Sequence, residues 1–395
     1  MINDNQHIPT GYKPSPLGPI PEDWEVKRLG EICTHFKSGI TITSKDIHDD
    51  GLYPVYGGNG LRGFANTYTH DGNYILIGRQ GALCGNINYI EGKNYISEHA
   101  IAVQTKENMQ WLKYKLVNWN LNRFSESSAQ PGLSVEKLVR YKLFIPTRFE
   151  QNKIAEILSL WDTAIAKQTA LIEKLTLLKR GLMQQLLTGK KRLKGFGGEW
   201  KNIKLGSVAD RITRKNEEDN QNVVTISAQR GFVVQTDFFN KSVASETLDN
   251  YFLVHKDEFC YNKSYSNGYP MGAIKRLKTF DKAVVTTLYI CFALKSETTT
   301  SIDFFEQYCE SGILNKELVK VANEGGRAHG LLNVTPFDFF NMHMNIPGIN
   351  EQNAIASVLV DADKEIEIQK QKLAAMQEQK RGLMQVLLSG KRRVE

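Results

Sequence analysis

Two stretches of this sequence carry side chains of the kind that read a nucleic-acid edge. Residues 55–64 read VYGGNGLRGF and residues 78–86 read GRQGALCGN. The guanidinium fork of Arg matches guanine O6 and N7, and the amides of Asn and Gln match adenine N6 and N7. Asn59, Arg62, Arg79, Gln80 and Asn86 are therefore candidate base-contacting residues, with Gln130 further along. The same glycines would also serve simply to make tight turns between strands, and that alternative stays open. In the second half of the chain, residues 259–269 read FCYNKSYSNGY, and residues 323–330 read NEGGRAHG. Tyr261, Asn262, Lys263, Tyr265 and Asn267, then Arg327 and His329, are the candidates there. Aromatic rings interleaved with Lys, Asn and Ser suit a nucleic-acid surface, but they are also ordinary amphipathic packing.

Catalytic chemistry is not evident. No G-x-x-x-x-G-K-[ST] phosphate loop, H-E-x-x-H zinc pair or G-x-S-x-G elbow occurs. No Pro-Pro pair occurs either, which excludes the N-P-P-[YF] signature of amino-methyltransferases. Glu25-Val26-Lys27 is a fragment of a nuclease-like E-x-K without a matching upstream acid. Cys33, Cys84, Cys260, Cys291 and Cys309 contain no C-x-x-C spacing, so neither a disulfide framework nor a structural zinc is expected. The expectation is no catalytic residue and no metal on this chain, in a reducing cytoplasm. No run of eighteen apolar residues is present, and the polar start does not read as a signal peptide.

The elements that would position these loops are repeated. Residues 150–165 read EQNKIAEILSLWDTAI and residues 351–366 read EQNAIASVLVDADKEI; residues 179–193 read KRGLMQQLLTGKKRL and residues 380–394 read KRGLMQVLLSGKRRV. Both pairs lie 201 residues apart. Trp24 to Gly30 resembles Trp200 to Gly206, and Ile145-Pro146 matches Ile346-Pro347. The helical parts are alike while the segments between them have diverged, the second being 25 residues longer.

Within the repeat, Leu158, Trp161, Ile165, Gln168, Ile172, Leu175 and Leu182 recur at spacings of three, four and seven. Leu359, Ala362, Ile366, Gln369, Leu373, Met376 and Leu383 follow in the same register. This is a coiled-coil seam on two long helices, each stopping at a glycine (Gly189, Gly390). Gln168 and Gln369 either lie close together at the centre of a rod or each reaches water at the seam edge. The expected fold is mixed α/β: two globular domains separated by two long antiparallel helices that form an intramolecular coiled coil, with a pseudo-two-fold repeat. The expected boundaries are a first domain at 1–149, a helical spacer and basic linker at 150–199, a second domain at 200–349 and a C-terminal helical spacer at 350–395.

The net charge of +7 has a location. Residues 1–149 carry 16 basic and 14 acidic side chains, and residues 200–349 carry 17 of each. Residues 188–199 and 389–395 hold four and three basic side chains against one acid each. Those cations either complement helix C-termini and stay solvated, or contact phosphate or a partner. A protein with near-neutral domains does not coat nucleic acid by bulk charge.

Taken together, the Trp-x-x-x-x-Leu-Gly entries, the Ile-Pro exits, the Glu-Gln-x-x-Ile-Ala helix starts and the Lys-Arg-Gly-Leu-Met-Gln-x-Leu-Leu-[ST]-Gly-Lys helix ends resemble the specificity subunit of type I restriction–modification enzymes. The resemblance spans nearly the whole chain. It implies that each domain is a target recognition domain reading one half of an asymmetric bipartite DNA site. It also implies that the helices set the spacing and dock two methyltransferase (modification) subunits, with restriction/translocase subunits joining in the full complex. S-adenosylmethionine, ATP and Mg²⁺ would bind those partners and not this chain. The competing expectation is a two-headed coiled-coil adaptor or scaffold that binds proteins.

Overall fold

In a computed structural model of the chain, residues 8–81, 83–125, 132–238, 248–324 and 332–394 are described. The fold is mixed α/β. It divides into two compact units, Met1–Thr169 with Gln371–Glu395, and Ala170–Lys370. The division cuts across the expected domain boundaries, because each unit takes half of each long helix. No helix among the described residues is long and apolar enough to cross a membrane.

The head of the first unit is built on a four-stranded sheet in the order Cys33–Ser38, Ala100–Thr105, Tyr74–Gly78, Ile87–Ile90, with every neighbour antiparallel. The run Tyr74-Ile75-Leu76-Ile77 is apolar at every position because both faces of its strand are covered. Ile75, Ile77, Ile101 and Val103 face one core with Trp111 and Leu112 of the helix Met109–Trp119. Tyr74, Leu76, Ala100 and Ala102 face a smaller core with Ile96, which lies in a second sheet. That sheet has the order Gly60–Ala65, Tyr53–Gly57, Lys93–Ile96, His70–Asp71. The head is closed at its base where Glu25–Arg28 pairs antiparallel with Lys142–Ile145.

The second unit repeats this plan. Its central sheet runs Ala209–Ile212, Ile290–Leu294, Phe259–Asn262, Ala273–Arg276, the same order of equivalent strands. Side-chain alternation again splits two cores: Phe259, Tyr261, Ile290 and Phe292 on one side, Cys260 and Cys291 on the other. Lys201–Lys204 pairs with His343–Ile346 to close the base. The second layer differs. Instead of one four-stranded sheet it holds two hairpin-like pairs, Val224–Ser227 with Gly231–Val234 and Phe252–His255 with Lys282–Val285.

The long helices are Arg148–Leu186 and Ile349–Leu387, 39 residues each. Gly189 and Gly390 stop them in the left-handed region, at φ +71° and +74°. Each head's core takes in the beginning of one helix and the end of the other. Ile154, Ala155 and Leu158 share the first core with Met384, Leu387 and Leu388. Ile355, Ala356 and Leu359 share the second with Met183, Leu186 and Leu187. At about 1.5–3 kcal/mol for a buried large aliphatic side chain, these contacts are a major part of what holds helix to head.

Within each unit the two helical segments run antiparallel. Asp162 lies opposite Lys380 and Glu150 opposite Arg393 in the first unit, and Lys179 lies opposite Asp363 in the second. The seam residues are buried (Leu158, Gln168, Leu359, Ile366) or half-buried (Trp161, Ile165, Ile172, Leu175, Leu182, Ala362, Gln369, Leu373, Met376, Leu383). Leu160, Leu171, Leu177 and Leu178, off the seam, are exposed. The equivalent glutamines differ in surroundings: Gln168 is buried in the first unit, and Gln369 is half-buried in the second, donating from Nε2 to Glu365 Oε1 at 2.7 Å.

Candidate nucleic-acid interface

In the first head, the candidate residues sit on two turns pressed together by glycines. One turn is the hairpin tip between Tyr53–Gly57 and Gly60–Ala65, where Gly57 pairs with Gly60. The other follows Tyr74–Gly78, and in it Gly78 N–H donates to Asn86 O at 2.8 Å and Gly85 N–H to Gly78 O at 2.7 Å. A Cβ on Gly78 would lie 2.6 Å from Gly58 O and 2.7 Å from Leu83 O, and one on Gly58 would lie 2.8 Å from His99 O. Arg79 N–H donates to that same His99 carbonyl at 2.9 Å. The glycines are thus needed where backbone meets backbone. The turn-forming role holds, and its consequence is a fixed platform for the polar side chains.

On that platform Asn59, Arg62, Gln80 and Asn86 are exposed and Arg79 is partly exposed. Gln80 Oε1 lies 3.3 Å from His99 Nδ1. Among the described residues, neither Arg62 nor Arg79 is paired with a carboxylate. In the second head, by contrast, Arg214 is paired with Glu258, Lys275 with Glu310, and Arg276 with Asp257, Asp303 and Glu306. Unpaired forked cations on a rigid surface are suited to an external acceptor.

The second head's candidates divide. Tyr261 is fully buried; its hydroxyl donates to Met271 O at 2.8 Å and its ring stacks on Phe339 at 5.1 Å. It is a core residue, and the expectation that it contacts DNA is corrected by its place in the sheet. Asn262 is partly buried and shapes the turn, donating to Ile226 O at 3.3 Å and accepting from Ser264 N–H at 3.0 Å. Lys263 is partly buried, and that burial pulls its ammonium pKa below the usual lysine range. Tyr265 and Asn267 are exposed at a loop tip. The tip is held by the Ser266–Tyr269 turn, by Gln229 Nε2 donating to Asn267 O at 2.9 Å, and by Tyr269 Oη donating to Glu310 at 3.0 Å. The hairpin tip carrying Gln229 and Arg230 therefore joins this loop, which sequence reasoning missed. Its Gln229-Arg230-Gly231 is a near reversal of Arg79-Gln80-Gly81, a signal available in the sequence. Gln130, Arg327 and His329 lie outside the described residues.

Below the heads, the repeated signatures meet in matching contacts. Glu150, buried, accepts from Trp24 Nε1 at 2.7 Å and from Arg393 Nε at 2.5 Å. Its counterpart Glu351, also buried, is gripped by Arg192 through Nε at 2.5 Å and an Nη at 2.6 Å. The Glu351 carboxylate holds the Arg192 pKa above the usual range, and the Asp23 carboxylate, with Glu150, does the same for Arg393. Gln151 Oε1 accepts from Asn108 N–H, and Gln352 Oε1 from Ser301 N–H, each at 2.9 Å; Asn108 and Ser301 are the N-caps of the head helices. Asp162 takes a hydrogen bond from Lys380 at 2.5 Å and one from the Tyr114 hydroxyl at 2.5 Å. Asp363 takes one from Lys179 at 2.6 Å and one from Gln307 at 2.8 Å. The cationic helix ends are thus partly paired: Arg192 and Arg393 bond to buried glutamates, and Lys190, Lys191, Lys194, Lys391 and Arg392 are exposed.

Residues 21–177 match the type I restriction modification DNA specificity domain. The specificity subunit of the type I restriction enzyme EcoprrI of Escherichia coli is 43% identical over 143 residues, about a third of either chain (35% of each). The MjaVIII specificity subunit of Methanocaldococcus jannaschii is 24% identical over an alignment covering 95% of this chain and 94% of that one. The matched segment and these relatives are those of type I restriction–modification specificity subunits. A crystal structure of the type I system S subunit from M. genitalium shares the fold, with a TM-score of 0.57 at 16% identity over 92% of this chain and 96% of that one. In this chain the repeated signatures map onto the base of each head, and the diverged segments map onto the exposed turns.

Proposed function

We propose that this chain is a specificity subunit in which each head reads one half of an asymmetric bipartite DNA site, while the paired helices keep the two readings at a fixed spacing. The observation that carries this reading is the pairing of two matched bases with two unlike sets of exposed turns, one of which presents Arg62 and Arg79 with no carboxylate partner among the described residues. Arginine in that state can spend both fork donors on guanine. The chain supplies recognition and not chemistry. The reading assigns S-adenosylmethionine, ATP and Mg²⁺ to partner subunits: two methyltransferase subunits docked on the helices and heads, and restriction/translocase subunits in the full assembly. Adenine methylation by such a partner requires the base to leave the stack, so the reader must hold the duplex while the partner works.

The test is binding by the chain co-expressed with its methyltransferase, using a site taken from the methylation map of expressing cells. Preference for that bipartite duplex over random DNA, persisting as salt rises, supports the reading. Equal binding to both at every salt concentration contradicts it and favours an adaptor that binds proteins.

A further inference from the structure

Leu61 and Leu83 stand on the two glycine-packed turns of the first head, among Asn59, Arg62, Arg79 and Asn86, and they are 54% and 47% exposed. Isolated exposed leucines are common and by themselves mean little. Here their surroundings set them apart. The hairpin tip cannot retract to bury Leu61, because Gly58 is already in contact with Gly78 and His99 backbone. Leu83 is held at the crest of two successive turns, Cys84 N–H to Gly81 O at 2.9 Å and Asn86 N–H to Leu83 O at 3.0 Å. Both leucines are therefore displayed by rigid backbone, and they interleave with hydrogen-bonding groups of the kind that read base edges.

In the major groove every base edge offers donors or acceptors, and only thymine adds an apolar group, the 5-methyl. We propose that Leu61 and Leu83 are specificity-determining residues of the first head that pack on thymine methyl groups. This rests on the reading of the head as a DNA half-site reader and makes it more specific. The half-site of this head then contains at least one A·T pair next to pairs read by Arg62 or Arg79. Cytosine carrying a 5-methyl group is the near mimic the leucines would tolerate.

The test uses the full chain with its methyltransferase and duplexes carrying the methylome-derived site, with deoxyuridine replacing each thymidine in turn. Uracil keeps every hydrogen-bonding group and removes only the methyl. One or more substitutions in the first head's half-site should weaken binding by about fourfold, the factor for one buried methylene-sized group. The same loss should appear for Leu61→Ala or Leu83→Ala on normal DNA, with no further loss when that variant meets the uracil duplex. The uracil arm needs no mutation, so a folding defect in a variant does not mask the answer. The inference is overturned if every uracil duplex binds like the parent, or if the uracil loss persists in both leucine variants. Failure of the functional reading looks different: wild type would then show no preference for the half-site at all.

Discussion

The bases of the two units are built from the same contacts, and their crowns are not. At the base, Glu150 and Glu351, Gln151 and Gln352, and Asp162 and Asp363 occupy equivalent positions, and each bonds to an equivalent class of partner. At the crown, one unit displays arginines with no carboxylate partner among the described residues on glycine-locked turns, while the other ties Lys275 and Arg276 into internal pairs and displays Tyr265 and Asn267. The difference separates two demands on one chain. Contacts that join helix to head must be the same twice, whereas contacts that choose DNA sequence must be free to differ.

The largest expected effect tests the sameness of the bases. Glu351→Ala leaves Arg192 without its carboxylate, and Glu150→Ala strands the Trp24 indole N–H while Arg393 keeps its second carboxylate, Asp23, at 2.7 Å. Each should lower the midpoint of denaturant unfolding, because a buried polar group loses its partner. A negligible cost for one of them would break the equivalence.

Two base contacts are not shared, and the first is the Trp24 indole bond to Glu150, since the Trp200 indole N–H is buried without a partner among the described residues. In the second, Lys115 is buried, and its Nζ donates to Leu388 O at 2.7 Å at the end of the second long helix, while the position seven residues after the other N-cap is Tyr308. Burial lowers the Lys115 pKa to about 8. Between that value and the unfolded value of about 10.4 the unfolded chain holds the extra proton, so stability rises with pH across the window. The gain should be on the order of 2–3 kcal/mol, and Lys115→Met should flatten it in stability measured from pH 7.5 to 10.5. An unchanged slope in the variant would place the titration elsewhere.

Much of the frame was legible in the sequence because the repeat states it twice: the helix lengths, the seam and the glycine stops follow from periodicity and composition. What the repeat does not state is exchange. The string Lys-Arg-Gly-Leu-Met-Gln gives no sign that Met183, Leu186 and Leu187 complete the core of the head that follows, or that Met384, Leu387 and Leu388 complete that of the head at the other end of the chain. Arg192 and Arg393 looked like surface charge for the same reason, since their glutamate partners lie 159 and 243 residues away. Tyr261 was misjudged although strand parity was available. It shares a face with Phe259, two residues earlier, and that face is core. The exposed loop residues beside it have no such rule, because turn side chains follow no period.

The crown predictions are smaller. Gly78→Ala forces a Cβ against two carbonyl oxygens and should cost about 2 kcal/mol, together with reading of the first half-site only. Retention of full half-site discrimination would show that the two turns need not be locked together. Arg79→Ala should weaken binding by about 1–2 kcal/mol and relax one position of that half-site, with the other half-site unchanged in competition assays. Equal loss at both would make Arg79 structural.

The central claim is that each head carries its own half-site on an interchangeable base. Equivalent backbone bonds mark where to exchange them: Leu29 N–H to Tyr141 O at 2.8 Å and Leu205 N–H to Met342 O at 2.9 Å. The most direct measurement is the adenine-methylation map of cells expressing the methyltransferase with a chain in which residues 205–342 are replaced by a copy of residues 29–141. The account predicts methylation at a site in which the first half-site occurs twice and the second has vanished. Loss of both half-sites from a complex that still assembles, or persistence of the second, would contradict it.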